Sequence, residues 1–102
     1  MFDLSDRLTK VEAYQVEEIE GELLMYHAGK GETLFLNEPA AMVWYLCDGE
    51  KTVGDIIELL RESYPSSDQA IEEDVQASLK EFYGFGGLIV KNEKETEHSE
   101  ND

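Results

Sequence analysis

Three short apolar segments separated by glycine turns, followed by three apolar stripes at helical spacing, predict an α+β domain. Short turns make neighbouring strands antiparallel, so a three-stranded antiparallel sheet followed by three helices is expected. A tight link containing Gly49 between the first two helices makes the order winged helix-turn-helix-like. At 102 residues the chain suits one domain, and its 41% hydrophobic content is enough for a small core.

Residues 1–9 are mixed in character and read as a loosely attached N-terminal arm. "KVEAYQVEEI", 10–19, alternates in part and reads as a first strand. Glu20-Gly21 is a hairpin turn, "ELLMYHA" a second strand, "GKGE" a second turn and "TLFLN" a third strand. Leu34 and Leu36 fall on one face of that strand, Thr33 and Phe35 on the other, and the strand is expected at a sheet edge. Glu38 is read as the cap of the first helix and Pro39 as its first residue. Ala40, Val43, Trp44 and Cys47 make its apolar face, and Gly49 ends it. Thr52 with Asp55 caps the second helix, whose stripe is Val53, Ile56, Ile57, Leu60 and Tyr64. Ser67 is the expected cap of the third, with the stripe Ile71, Val75, Leu79 and Phe82, broken by "GFGG" from Gly84. Leu88, Ile89 and Val90 read as a final strand or a plug on the core. The acidic segment 91–102 reads as a disordered tail.

Net charge is −16. The tail has two lysines against five carboxylates, which leaves −13 on residues 1–90. Such a surface repels phosphate backbones, so nucleic acid is not an expected partner. It suits a basic partner, or serves solubility or adaptation to salt. The opening Met-Phe begins no long apolar run, no stretch approaches a membrane span, and a cytoplasmic location is expected.

The residues carry no sign of catalysis, metal or cofactor. Cys47 is the lone cysteine and sits among apolar positions, as a buried inert thiol would. Glu17, Glu18, Glu20 and Glu22 lie on a strand and turn with no oxygen cage, so they read as a solvated charge run. Gly84, Gly86 and Gly87 come after a helix, which is the wrong context for a phosphate loop. His27 in a strand reads as a surface or hydrogen-bonding residue.

"LNEPAAMVWYLCDGEKTVGDIIELLRESY", 36–64, resembles the PqqD family: Leu-Asn, small residues, an aliphatic-Trp pair, Asp-Gly, Thr-Val, a helix and an aromatic residue. "EGELLMY" and "GETLFLN" match its strands, and "EEDVQASLKEFYGFGGL" its third helix, so the similarity covers roughly residues 11–90. The resemblance implies a non-catalytic peptide-recognition domain, placed at 10–90. It would hold the leader of a ribosomally made precursor peptide and present the core to a modifying enzyme, often a radical SAM protein. The leader would add as a strand beside the third strand, in a groove against the third helix. The implied binding residues are Thr33, Leu34, Phe35, Leu36, Val75, Ser78, Leu79 and Phe82. Trp44 is read as core; Phe35, Leu79 and Phe82 are shared between core and groove. Members acting in pyrroloquinoline quinone synthesis typically read "LLYPEG" after the second strand and end in Gly-Trp-Leu. Here "LLMYHAGKG" and Gly87-Leu88 point to a related pathway with another product. The rivals are a winged-helix DNA-binding regulator and a structural or assembly subunit. The regulator is poorly served by a third helix with Lys80 against Glu72, Glu73, Asp74 and Glu81.

Overall fold

A computed structural model describes residues 2–65 and 68–91. Ser67 and the tail from 92 onward lie outside them. The chain is α+β, with two antiparallel three-stranded sheets and three helices.

The expected meander is one of the sheets, with β2 (Tyr14–Ile19), β3 (Glu22–His27) and β4 (Thr33–Leu36) in that spatial order. Ile19 pairs with Glu22, which leaves the two-residue loop Glu20-Gly21. Both loop residues have positive φ, 52° and 83°. That is the type I′ geometry whose twist matches the strands it joins, and glycine at the second position adopts it without a Cβ penalty. The pleat sorts the side chains. Met25 and Leu36 are buried against the helices with Val16 and Leu34 half-buried beside them, while Glu17, Leu24 and Phe35 share the opposite face.

The other sheet corrects the expected order of three strands and then three helices. β1 (Arg7–Lys10) is its central strand, between β5 (Asp48–Thr52) and β6 (Leu88–Lys91). The stretch read as one strand over 10–19 is therefore split. A turn closed by the Tyr14 N–H on the Val11 carbonyl (3.0 Å) sends the chain from one sheet to the other. The expected domain boundary at Lys10 falls inside β1. β5 fills the link between the first two helices, which is a paired strand and not a free turn. The final strand forms as β6.

Residues 2–6 are tied down by backbone chemistry, unlike the loose arm expected. α2 (Val53–Ser63) opens with the predicted capping box, in which the Asp55 N–H donates to Thr52 Oγ1 and the Thr52 N–H to Asp55 Oδ2. Two further N–H groups of its first turn, Val53 and Gly54, donate to the carbonyls of Asp6 (2.8 Å) and Leu4 (2.9 Å). Gln76 of α3 (Asp68–Phe85) is buried. Its side-chain amide accepts from the Phe2 N–H and donates to the Phe2 carbonyl, both at 2.9 Å.

α1 (Glu38–Leu46) is capped one residue earlier than expected. Asn37 Oδ1 accepts from the Ala40 N–H at 2.8 Å, which makes Glu38 the first helical residue and Pro39 the second. At the other end, Lys10 of β1 donates to the carbonyls of Tyr45 and Cys47 and lies over the Trp44 ring, supplying the cation that α1 lacks in its own last turn. α3 runs through Gly84 and stops at Gly86. The Gly87 N–H returns to the Phe82 carbonyl and the Gly86 N–H to that of Tyr83, a Schellman motif with Gly86 at φ 94°. A Cβ on Gly86 would lie 2.7 Å from the Tyr14 hydroxyl oxygen, so the tight end of α3 is also a packing requirement. One core joins both sheets and all three helices, with Leu8, Met25, Val75, Leu79 and Phe82 fully buried and Trp44 edge-on to Phe82 at 5.4 Å.

Candidate functional site

β3 uses both of its sides, whereas β4 pairs on one side only: Leu23 faces Leu36, Leu24 faces Phe35, Met25 faces Leu34 and Tyr26 faces Thr33. The other side of β4 keeps its backbone N–H and C=O groups unpaired within the sheet. β2 is likewise an edge. The β4 edge leads to a groove. The strand runs through Asn37 straight into α1, and a space of about 250 Å³ opens there between α1 and α3. One wall is Asn37, Pro39, Ala40 and Val43; the other is Asp74, Ala77, Ser78 and Glu81; Leu60 of α2 also lines it.

The sequence explains the walls. Asn37 caps α1 and Pro39 sits within its first turn, where a missing N–H costs nothing. On α3, positions 74, 77, 78 and 81 repeat at i, i+3, i+4 and i+7, a second stripe one residue ahead of the buried Val75, Leu79 and Phe82. Small side chains at 77 and 78 leave the groove open. Asp74 and Glu81 set a carboxylate near each end, two turns or about 10 Å apart. Neither makes an ion pair or a side-chain hydrogen bond with a described residue.

Of the implied binding residues, Ser78 lines the groove. Thr33 is exposed, Leu34 half-buried and Leu36 buried, along the open edge that leads to the groove. Phe35 is 69% exposed on the face opposite the core. Val75, Leu79 and Phe82 are fully buried and hold α3 in place rather than facing the groove. α3 supplies one wall of the groove, as expected of the third helix, through Asp74, Ala77, Ser78 and Glu81, and α1, which contacts both β4 and α3, supplies the other. Asn37, Pro39, Ala40, Val43, Leu60 and Ala77 were missed. The signal available for the helix side was the offset stripe of small residues between two acids.

Other chemistry-bearing groups are occupied elsewhere. Burial pushes the Cys47 thiol up to about 12, with Lys10 only partly opposing and Asp48 adding to the rise. The His27 Nδ1 accepts from the Gly29 N–H at 2.9 Å, and its ring packs edge-on to Tyr14. Among the described residues, no group of three or more His, Cys, Asp or Glu side chains could hold a metal ion, and no helix is long and apolar enough to cross a membrane.

No curated protein and no solved structure matches the chain. A family model does: Coenzyme PQQ synthesis protein D (PqqD) matches residues 22–84, from the start of β3 almost to the end of α3. That span holds the open edge, the corner at Asn37 and both walls of the groove, and the chain belongs to the PqqD family.

Proposed function

We propose that this protein is a non-catalytic leader-peptide-binding chaperone. It holds the leader of a ribosomally made precursor peptide and presents the rest to a modifying enzyme, a radical SAM protein or another peptide-modifying enzyme, in the cytoplasm where such precursors are made. PqqD proteins belong to peptide modification and coenzyme PQQ synthesis. The observation that carries the reading is the open edge of β4 leading into the groove between α1 and α3. An extended peptide adds to such an edge through main-chain hydrogen bonds, and pockets beside it select alternate side chains. At about 250 Å³ the groove is below the usual range of a small-molecule cavity, so it suits one or two peptide side chains better than a whole cofactor.

The regulator reading is disfavoured by charge. Glu72, Glu73, Asp74 and Glu81 are exposed on α3, which would present carboxylates to a phosphate backbone. The test is hydrogen exchange with the leader peptide encoded beside the gene. Amides of Thr33–Leu36 gain protection on binding, and those of the other edge, Tyr14–Ile19, do not. Protection confined to β2, or tight binding of duplex DNA without peptide binding, would sink the proposal.

A further inference from the structure

We infer that the site selects one class of leader: an extended segment with two adjacent apolar residues, one for each face of β4, flanked by Lys or Arg. This rests on the peptide-binding reading and names its ligand.

The two-sided demand comes from the pleat. A strand added to β4 would alternate its side chains between the faces of the sheet. Those on the inner face lead toward the groove between Pro39, Val43 and Ala77. Those on the outer face come beside Phe35, an aromatic residue left 69% exposed, with Leu24 directly opposite it on β3 and no strand on its other side. A cross-strand partner on the added segment would cover the ring that the domain itself leaves bare.

The flanks come from charge. Glu32 and Glu38, both exposed, bracket β4 in sequence, and the carboxylates of Asp74 and Glu81 stand at the groove. Among the described residues, no Lys or Arg lines the groove. Lys30, the nearest lysine in sequence, is turned onto Tyr14, where its ammonium donates to the hydroxyl at 3.2 Å. An acidic leader meets repulsion at each end of the edge, whereas a basic one meets attraction. The same carboxylates disfavour a second copy of this chain as the occupant. Antiparallel pairing of two β4 edges centred on Phe35 sets Glu32 of each copy level with Glu38 of the other.

The probes are three synthetic peptides with one Leu-Val centre and flanks of Lys, Ser or Glu, titrated against the full chain at low and high salt. The Lys-flanked peptide should bind about tenfold more tightly than the Glu-flanked one at low salt, and the gap should close as salt screens the charges. In the double variant Asp74→Lys, Glu81→Lys the preference should shrink or reverse. Both residues are exposed, so the variant should melt as the parent does. Phe35→Ser should weaken the Leu-Val peptides several-fold and leave unchanged a control peptide with Ser at the outward position. Equal affinity for all three peptides overturns the charge class while leaving strand addition intact. Loss of the control peptide in Phe35→Ser overturns the outer-face contact. If none of the peptides protects the amides of Thr33–Leu36, the reading beneath this inference falls with it.

Discussion

β1, β5 and β6 are drawn from residues 7–10, 48–52 and 88–91, whereas β2, β3 and β4 are consecutive between 14 and 36. The first sheet joins the beginning, middle and end of the described chain. Its central strand takes both of its partners from far along the chain, β5 and then β6, so its contacts close the domain. The second sheet is a local meander that needs only its own turns. It packs one face on the helices and leaves the other, with Phe35, to solvent. Closure of the chain thus falls to one sheet and, on the proposed reading, recognition to the open edge of the other.

The largest expected effect lies in the closing sheet. Leu8 is fully buried on β1. Leu8→Ala should cost about 2–5 kcal/mol in urea unfolding. Phe35→Ala on the exposed face should stay within about 0.5 kcal/mol. Equal losses at the two positions would erase the division.

A smaller contrast separates two left-handed glycines. At Gly86, where α3 turns toward β6, an added methyl meets both the φ of 94° and the Tyr14 hydroxyl oxygen at 2.7 Å. At Gly21, in the hairpin, nothing lies within 4 Å and only the φ of 83° is costly. Gly21→Ala should lose about 1–2 kcal/mol in thermal unfolding, and Gly86→Ala more. Equal losses would mean that the junction of α3 with β2 is looser than described.

The smallest effects are in pH. Asp48 on β5 accepts from the Lys51 ammonium at 2.7 Å and from the N–H groups of Lys51 and Glu50. These bonds, the ammonium first, hold its carboxyl well below the usual range. A depressed carboxylate contributes stability that is complete above its unfolded value near 4 and lost as pH falls below it. The side chain is 38% exposed, so the contribution is about 0–1 kcal/mol. Asp48→Asn should flatten the acid limb of a stability profile below about pH 4. The meander titrates at the opposite end. The Tyr26 hydroxyl donates to Glu17 at 2.8 Å, and that bond raises its pKa above 10, the value for a free tyrosine. Its contribution is present below pH 10 and fades as pH rises through the raised value, so Tyr26→Phe should lower the plateau slightly and change the slope of the alkaline limb, not of the acid one. A profile in which the two variants change the same limb would break the comparison at its finest level.

The division also explains which elements were legible in the sequence. The meander was legible because glycine turns and alternating residues are local signals, and the Glu20-Gly21 loop formed as expected. The helices were legible from their stripes and from the Thr52–Asp55 capping box. β1, "RLTK", and β5, "DGEKT", were not. Neither alternates clearly, and Asp-Gly reads as a turn. Each becomes a strand because a partner far along the chain supplies its hydrogen bonds. At the site, the strand edge was visible, but the periodicity of Val75, Leu79 and Phe82 marked the buried side of α3. The side toward the groove lies one residue earlier, at Asp74, Ser78 and Glu81, where small and acidic residues look like ordinary surface. The cap at Asn37 was hidden by Pro39, whose ring draws the helix start toward itself on paper.

Cys47 has a use that its inertness makes possible. It is fully buried at the end of α1, with its carbonyl held by Lys10 of β1 and its thiol pushed up to about 12. An alkylating reagent reacts with the thiolate of an accessible cysteine, so each label records an opening that exposes Cys47. The sequence has no second cysteine to blur the count. The labelling rate is therefore a clock for that opening, read without any engineered probe. On the proposed reading, leader binding in the groove along the same helix should slow that clock by the factor with which the ligand favours the closed form.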